Sequence, residues 1–271
     1  MNSLEKKMVS ILQDLRENHN VVGVKAEFEA EGTRIEEAIR LKEVVSKAGL
    51  DLTIKIGGCE AIKDMYEAKI IGVSRIVAPM VETAYALKKY LAAVKLVFSP
   101  EEREEVFFLV NIETITGYNN LETMLTLPEI NELQGIVLGR VDMTGSMGLT
   151  REDINTPKIF EIAKNIGLKA KKYGLEHVIG GGVSTHSLPF FRDLPKGTID
   201  CYETRKVIFK CPAALEKDAD KGILKAVGFE LMWLKNKRDF YGSIHKEDDQ
   251  RLVMLEARYK KLIAEAGGII E

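Results

Sequence analysis

Short apolar runs alternate with longer segments of helical periodicity through most of the chain, and this cycle constrains the fold more than any other feature. An opening helical stretch carries Leu4, Met8, Ile11, Leu12 and Leu15 on one face. Strand-like runs come next at Val21 to Glu29, Leu52 to Ile56, Arg75 to Pro79, Val106 to Glu113, Gly135 to Gly139, His177 to Gly180 and Ile199 to Ile208. Helical patterns separate them at about Arg34 to Ala48, Cys59 to Ala68, Thr83 to Leu96, Asn120 to Leu125, Pro157 to Tyr173 and Ser187 to Arg192. Runs of nearly continuous Val, Ile and Leu joined through helices predict a parallel sheet covered on both faces. Seven such repeats, with an eighth near the end, fit a closed (β/α)8 TIM barrel better than an open sheet. The expected fold is therefore an α/β TIM barrel with an N-terminal helix and a C-terminal helical extension.

From about Pro212 the cycle stops. Two amphipathic helices are predicted there, one with Leu224, Val227, Leu231 and Leu234 and another with Leu252, Leu255, Tyr259 and Leu262, joined by a polar loop around Gly242 to Asp249. The first is expected to supply the eighth barrel helix. The second either packs across the barrel's end or docks on a neighbouring subunit. A length of 271 residues is compatible with one barrel domain over the whole chain, the barrel occupying about residues 20–235 and the tail about 236–271.

Composition narrows the function. With 45% hydrophobic and 30% charged residues the chain reads as globular, and a net charge of -2 without a basic tract gives no reason to expect nucleic acid or an anionic membrane as partner. Cys59, Cys201 and Cys211 are an odd number without metal-site spacing, which favours free thiols in a reducing compartment, most simply the cytoplasm. The segment from Met1 to Lys7 leads into an amphipathic stretch and resembles neither a signal peptide nor a membrane span.

In a parallel barrel, chemistry is built at the C-terminal ends of the strands. Two segments, Val110-Asn111-Ile112-Glu113-Thr114 and Gly139-Arg140-Val141-Asp142-Met143-Thr144-Gly145-Ser146-Met147-Gly148, each place one carboxylate there. Alternation turns Asn111 and Glu113 to the same face. Two acids delivered in this way suit a hard cation, Mg²⁺ or Mn²⁺, whose octahedron is completed by waters and substrate oxygens; the alternative is a pair of solvated loop acids.

These segments resemble the HpcH/HpaI aldolase and citrate lyase β-subunit family, a branch of the phosphoenolpyruvate/pyruvate barrel superfamily. Asn111-Ile112-Glu113-Thr114 is similar to its Gln-Ile-Glu-Thr motif, and Gly139 to Gly148 to its Gly-Pro-x-Asp-Leu-Ser-x-x-x-Gly motif. Val77-Ala78-Pro79-Met80-Val81 is similar to the family's Val-Pro-Met-Val segment, and the likeness runs over about residues 20–210. The resemblance implies Glu113 and Asp142 as metal ligands and a Lewis-acid metal that stabilises the enolate of pyruvate or a related 2-oxo acid. It also implies a homo-oligomer with tail helices at the interface. Gly139 and Arg140 of the second motif stand as candidate substrate contacts.

Other positions depart from the family. Its arginine at the end of strand two is replaced by Lys55, which keeps the charge as a substrate anchor but loses the bidentate fork. The catalytic histidine of the aldolase branch is missing near strand one, where Lys25, Glu27 and Glu29 share one face; Glu27 or Glu29 replaces it or positions a water, or Glu27 pairs with Lys25. Glu203 and Arg205 share a face on the seventh run, aimed into the mouth, where Arg205 binds a second anionic group, or paired with each other. His186 and the cysteines lack partners that would make them reactive, and a Schiff base on Lys25 or Lys55 is a less favoured route than the metal.

The expected activity is a divalent-metal-dependent carbon–carbon lyase acting on a 2-oxo acid, with an aldehyde as the other reactant. The competing readings are a citrate-lyase-like acyl-CoA lyase or thioesterase, and a catalytically silent metabolite-binding barrel.

Overall fold

The computed structural model of the protein describes residues 1–268. Eight strands close into one barrel in chain order: β1 (Val21–Glu27), β2 (Asp51–Lys55), β3 (Arg75–Ala78), β4 (Phe107–Ile112), β5 (Gly135–Gly139), β6 (Glu176–Gly180), β7 (Cys201–Glu203) and β8 (Val207–Lys210). Helix α1 (Ser3–His19) precedes them, and α2 (Ile35–Lys47), α3 (Ile62–Ile71), α4 (Ala84–Val97), α5 (Pro100–Glu105), α6 (Ile115–Asn119), α7 (Leu121–Leu125), α8 (Arg140–Ser146), α9 (Pro157–Lys172) and α10 (Leu188–Asp193) lie between them. The long α11 (Ala219–Glu265) comes last. No helix among the described residues is long and apolar enough to cross a membrane.

Local chemistry sets the boundaries. Asn2 and Glu5 form a reciprocal capping box that starts α1, Ser99 caps α5 with Pro100 next in line, and Pro157 occupies the first turn of α9. Thr114 starts α6 by accepting from the Gly117 N–H at 3.0 Å and donates its hydroxyl to Glu82 Oε1 at 2.6 Å.

The eighth repeat differs from the expected one. The run from Ile199 to Ile208 is two short strands, and β8 lies antiparallel to both β7 and β1, so the barrel has seven strands in one direction and one returning. Thr204 makes the reversal: its backbone N–H donates to the Val207 carbonyl at 2.9 Å and its hydroxyl accepts from the Val207 N–H at 3.1 Å. No glycine, proline or asparagine marks this turn, so the apolar pattern reads through it as a single strand.

The tail also differs. Residues 242–249 continue one helix rather than forming a loop. A single mid-helix glycine costs about 1 kcal/mol and does not stop a helix, while Arg251 pairs with Glu247 at 2.5 Å and His245 lies 3.7 Å from Asp249 one turn away. Two compact units result, Met1–Glu230 and Leu231–Glu271.

Side chains fill the lumen of the barrel in layers. At the N-terminal mouth Arg75 pairs with Glu176 at 2.6 Å and lies over the Phe107 ring, with Lys210 at 3.6 Å from the same glutamate. Val77, Leu109, Val137, Val178, Cys201 and Ile208 form the apolar middle. Above them the lumen becomes charged.

His177 faces the helical layer instead, with Nδ1 2.7 Å from the Thr198 carbonyl and Nε2 lacking a partner among the described residues. Burial pushes its pKa down from 6.5 to about 4. Between those values the unfolded chain binds a proton that the folded one does not, so stability falls as the pH drops through this window, by up to about 3 kcal/mol. Urea unfolding at pH 7 and pH 4.5 should show a steeper acid loss for the wild type than for His177→Asn, which keeps a donor near Thr198. Equal slopes in the two proteins would refute this assignment.

Candidate active site

The C-terminal ends of β1, β2, β4 and β7 deliver buried charged side chains to the top of the lumen. Lys25, Glu27, Lys55, Asn111, Glu113 and Glu203 are each less than 10% exposed. Burying this many charges is tolerable only because each has an opposite partner. Lys25 Nζ lies 2.5 Å from Glu203 Oε1 and 3.0 Å from Glu27 Oε1. Lys55 Nζ lies 3.0 Å from Glu29 Oε2 and 3.6 Å from Glu113 Oε1.

Glu113 is fixed from three sides. Its Oε1 accepts from the Met80 N–H at 3.0 Å, its Oε2 accepts from Asn111 Nδ2 at 2.6 Å, and Lys55 adds its charge. Met80 reaches this donor position with φ at 49°, the left-handed region that a non-glycine side chain enters only under constraint. Gly139 on the neighbouring strand leaves the space: a Cβ there would stand 2.5 Å from Glu113 Oε2. Gly180 does the same for Glu203, whose Oε1 would meet an added Cβ at 2.9 Å. The glycine after which α8 begins is thus part of the site's shape, although it offers no side chain.

The electrostatics result from this packing. Burial raises the Glu113 pKa; Lys55, Asn111 and the Met80 N–H oppose the rise, and Asp142 adds to it. Asp142 is exposed in the first turn of α8, so its charge acts on Glu113 from the solvent side of the mouth. Burial works against the Lys55 ammonium, but Glu113, Glu29 and Glu27 together hold its pKa above the ordinary lysine value. Lys25 is likewise raised against its burial by Glu203 and Glu27. For Glu27 the upward push of burial is outweighed by Lys25, Lys55 and Arg205, and its pKa is lowered. Both lysines are therefore held as ammonium ions, the form that cannot attack a carbonyl, which disfavours a Schiff base on either.

Of the residues singled out in the sequence, the structure brings Glu27, Lys55, Glu113 and Gly139 together. Arg140 is turned away. Fully buried, it donates from Nε to the Gly180 carbonyl at 3.1 Å, from Nη1 to Asn155 Oδ1 at 2.7 Å, and from Nη2 to the Gly181 carbonyl at 3.1 Å and Ser187 Oγ at 3.2 Å. Its guanidinium carbon lies 5.0 Å from the rings of both Phe190 and Phe191, and with no carboxylate at hand burial lowers its pKa to about 9. This side chain ties the β5 and β6 ends to α10, and four of its five N–H donors are engaged in doing so.

Arg205 and Glu203 do not share a face, because β7 ends at Glu203 and Arg205 sits in the reversing turn. Arg205 is half exposed, with Nε 3.7 Å from Glu31 Oε1. The pairing of Glu203 is with Lys25 instead. Lys206, buried beside it in the turn, pairs with Glu31, and its carbonyl accepts from the Lys25 N–H at 2.8 Å. Neither Lys206 nor Glu31 is legible as a site residue, since the turn that brings them together has no sequence signal. His186 is exposed; burial raises the Cys59 thiol and pushes Cys201 and Cys211 up to about 12, so none of the three cysteines is a nucleophile at neutral pH.

The donor set suits a hard dication that shares its coordination sphere with solvent and substrate. Among the described residues no group of three or more His, Cys, Asp or Glu side chains forms a complete metal cage. Glu113 and Asp142, near enough for the charge of the second to raise the pKa of the first, offer oxygen donors only, and Asn111 Oδ1 is a buried oxygen without a hydrogen-bond partner among the described residues. Two carboxylates with water and substrate oxygens satisfy Mg²⁺ or Mn²⁺, so the residues present fit such an ion.

Comparison with known proteins agrees with this architecture. No curated protein gives a significant match. Among solved structures, an HpcH/HpaI aldolase from Desulfitobacterium hafniense DCB-2 superposes with a TM-score of 0.59 at 13% identity, covering 73% of this chain and 82% of that one. An HpcH/HpaI aldolase/citrate lyase family protein from Burkholderia cenocepacia J2315 gives 0.58 at 14% identity, covering 87% and 99%. The Haloferax volcanii malate synthase magnesium/glyoxylate complex gives 0.50 at 19% identity, covering 64% and 58%. These likenesses share the barrel. The model of the HpcH/HpaI aldolase/citrate lyase family matches residues 28–181, more than half of the sequence and the part that holds Lys55, Glu113 and Asp142. The chain belongs to the HpcH/HpaI aldolase/citrate lyase family.

Proposed function

We propose that the protein is a divalent-metal-dependent carbon–carbon lyase of the aldolase type, acting on a 2-oxo acid with an aldehyde as the second reactant, in a reducing compartment such as the cytoplasm. The observation that carries this reading is buried Glu113, just past β4, with the charge of Asp142 acting on it from the first turn of α8, just past the neighbouring β5. The family contributes the lyase-type chemistry, and the malate synthase neighbour, solved with magnesium and glyoxylate, is a barrel of similar fold that holds a dication and a small oxo acid.

In this reading Glu113 and Asp142 hold Mg²⁺ or Mn²⁺. When bound, the ion supplies the Lewis acidity that stabilises a pyruvate-type enolate. The chain's own residues do the remaining work. Lys55, kept protonated, binds the substrate carboxylate and adds positive charge where the enolate oxygen develops. The Met80 N–H and Asn111 orient Glu113. The lowered pKa of Glu27 makes it a weak base, so it serves as the ionised acceptor that orients a water rather than as a proton store. Arg205, half exposed at the rim, stands to meet an anionic group on the second reactant.

Binding of Mn²⁺, followed by its electron paramagnetic resonance signal, tests the reading without reference to a particular substrate. The wild type should bind the ion and bind it more tightly with oxalate present. Glu113→Gln and Asp142→Asn should each weaken binding by at least about 10-fold. A wild type that leaves the Mn²⁺ signal unchanged overturns the proposal. Pyruvate release from 4-hydroxy-2-oxo acids, with and without the ion, then tests turnover.

A further inference from the structure

Between β1 and α2 the chain runs Phe28-Glu29-Ala30-Glu31-Gly32-Thr33, and its two acids reach in opposite directions. Glu29 goes to β2, with Oε2 3.0 Å from Lys55 Nζ. Glu31 goes to the β7–β8 turn, where it pairs with buried Lys206 and lies 3.7 Å from Arg205 Nε. β2 and β8 are the two neighbours of β1 in the barrel, so one short loop spans the strand it leaves and sets a carboxylate on each side of it. The cations so engaged, Lys55 and Arg205, are the ones that would bind the anionic groups of the two reactants.

The loop is fastened by charge more than by packing. Buried Glu27 and Thr33 anchor its two ends, and its backbone bonds close on itself, from the Gly32 N–H to the Glu29 carbonyl at 3.2 Å and from the Thr33 N–H to the Glu27 carbonyl at 3.1 Å. Ala30 and Gly32 are exposed, and Gly32 turns with φ at 54° where an added Cβ would meet no atom within 4 Å. Glu31 also accepts from the Glu27 N–H at 3.3 Å and the Thr33 hydroxyl at 3.4 Å, both long bonds. Ion pairs of partly exposed acids are weak enough to be exchanged for another anion.

Both cations stand to gain by such an exchange. Lys55 already has Glu29 at 3.0 Å and Glu113 at 3.6 Å, so a substrate carboxylate arriving with Glu29 in place would crowd a third acid onto one ammonium. At Lys206, burial holds the pKa below the ordinary lysine value even with Glu31 in contact, so this single carboxylate compensates the buried charge incompletely.

We propose that the β1–α2 loop is an internal competitor for the active site: Glu29 and Glu31 hold, in the unliganded protein, the places of the reactants' anionic groups, and the loop swings out when those groups arrive. This role rests on the function proposed above for Lys55, and it adds Lys206 to the side chains that meet the second reactant. The two acids then weaken the apparent affinity for substrate, because only the fraction of molecules with the loop displaced is competent to bind.

Hydrogen exchange of the full chain, read by mass spectrometry over residues 28–33, tests the movement. With Mn²⁺ present, oxalate should speed exchange of the Gly32 and Thr33 amides by at least about 3-fold, opposite in sign to the slowing that a ligand causes when it orders a loop. Glu29→Gln should lower the oxalate dissociation constant, followed through the Mn²⁺ resonance signal, by at least about 5-fold. Glu36→Gln, which removes the same charge from α2, should change neither quantity. Oxalate that alters the Mn²⁺ signal while exchange over 28–33 stays unchanged or slows overturns the competitor role and leaves the proposed function standing, as does an oxalate affinity that Glu29→Gln does not improve. A wild type that binds neither Mn²⁺ nor oxalate overturns the function and this role together.

Discussion

Glu113→Gln and Asp142→Asn are each expected to reduce metal-dependent kcat/KM by about 10³-fold or more, equivalent to about 4 kcal/mol of transition-state stabilisation. Both substitutions are close in shape to the originals. In the first variant the side-chain carbonyl oxygen of the introduced glutamine can still accept from the Met80 N–H, as Glu113 does at 3.0 Å, so the loss reports on charge rather than on collapse of the site. Lys55 keeps Glu29 at 3.0 Å in that variant and is not stranded. The acid limb provides a second reading. Burial places the Glu113 pKa above the usual glutamate value, so activity in the absence of saturating metal should fall at a higher pH than an ordinary glutamate would dictate, and raising the metal concentration should move that limb downward by competing with the proton. Steady-state kinetics with Mn²⁺, accompanied by thermal unfolding to confirm the fold, decide the matter. Undiminished metal-dependent turnover in both variants would sink the mechanism.

Lys25→Met is expected to be among the most destabilising substitutions in the barrel, at about 3–5 kcal/mol. Lys25 bridges the carboxylates of Glu27 and Glu203, all three are buried, and removal of the ammonium leaves both acids without their shared counter-charge. The sign of the pH dependence distinguishes this from simple loss of packing. In the wild type the Glu27 pKa is lowered; the unfolded chain therefore takes up its proton first, and that stabilising contribution is lost as the pH falls through the folded value. In the variant Glu27 keeps the burial that raises its pKa and loses Lys25, the first of the charges that lower it, so the folded state should take up a proton more readily than in the wild type and stability should recover as the pH falls from 7.5 toward 5.5. Glu203→Gln in the Lys25→Met background should restore part of the loss by leaving only Glu27, which still senses Lys55. Urea unfolding of the three proteins at both pH values checks the prediction; a variant that is destabilised equally at pH 7.5 and 5.5 has merely lost packing.

The legible parts of the fold are those decided by short-range pattern. Gly135–Gly139 reads as a strand because its apolar run is bounded by glycines, and the structure gives the same five residues. Glu113 and Asp142 are legible as candidates because each is a carboxylate just past an apolar strand of a parallel barrel, and the structure puts the first in a buried position and the second in an exposed one. Two other features are hidden for physical reasons. The turn at Thr204-Arg205-Lys206 is closed by a threonine side chain and backbone bonds, which leave no compositional mark. The polar stretch from Gly242 to Asp249 looks like a loop only if polarity is equated with irregularity, whereas an exposed helix is free to be polar on every side. Of the two partners of Lys25, Glu27 at 3.0 Å is open to a reading of strand one, and the other is not. Glu203 lies 178 residues away, and only barrel closure brings the two together.

The returning direction of β8 divides the labour along the chain. Because β8 runs from the charged mouth back toward the end where Lys210 meets Glu176, the chain leaves the barrel wall at the rim opposite the site. The buried charged side chains at the top of the lumen all come from the segment that ends at the β7–β8 turn. A change of length just after β8 is therefore expected to leave the Lys25–Glu203 and Lys55–Glu113 contacts in place, because the strand that precedes it has already carried the chain to the other end of the barrel.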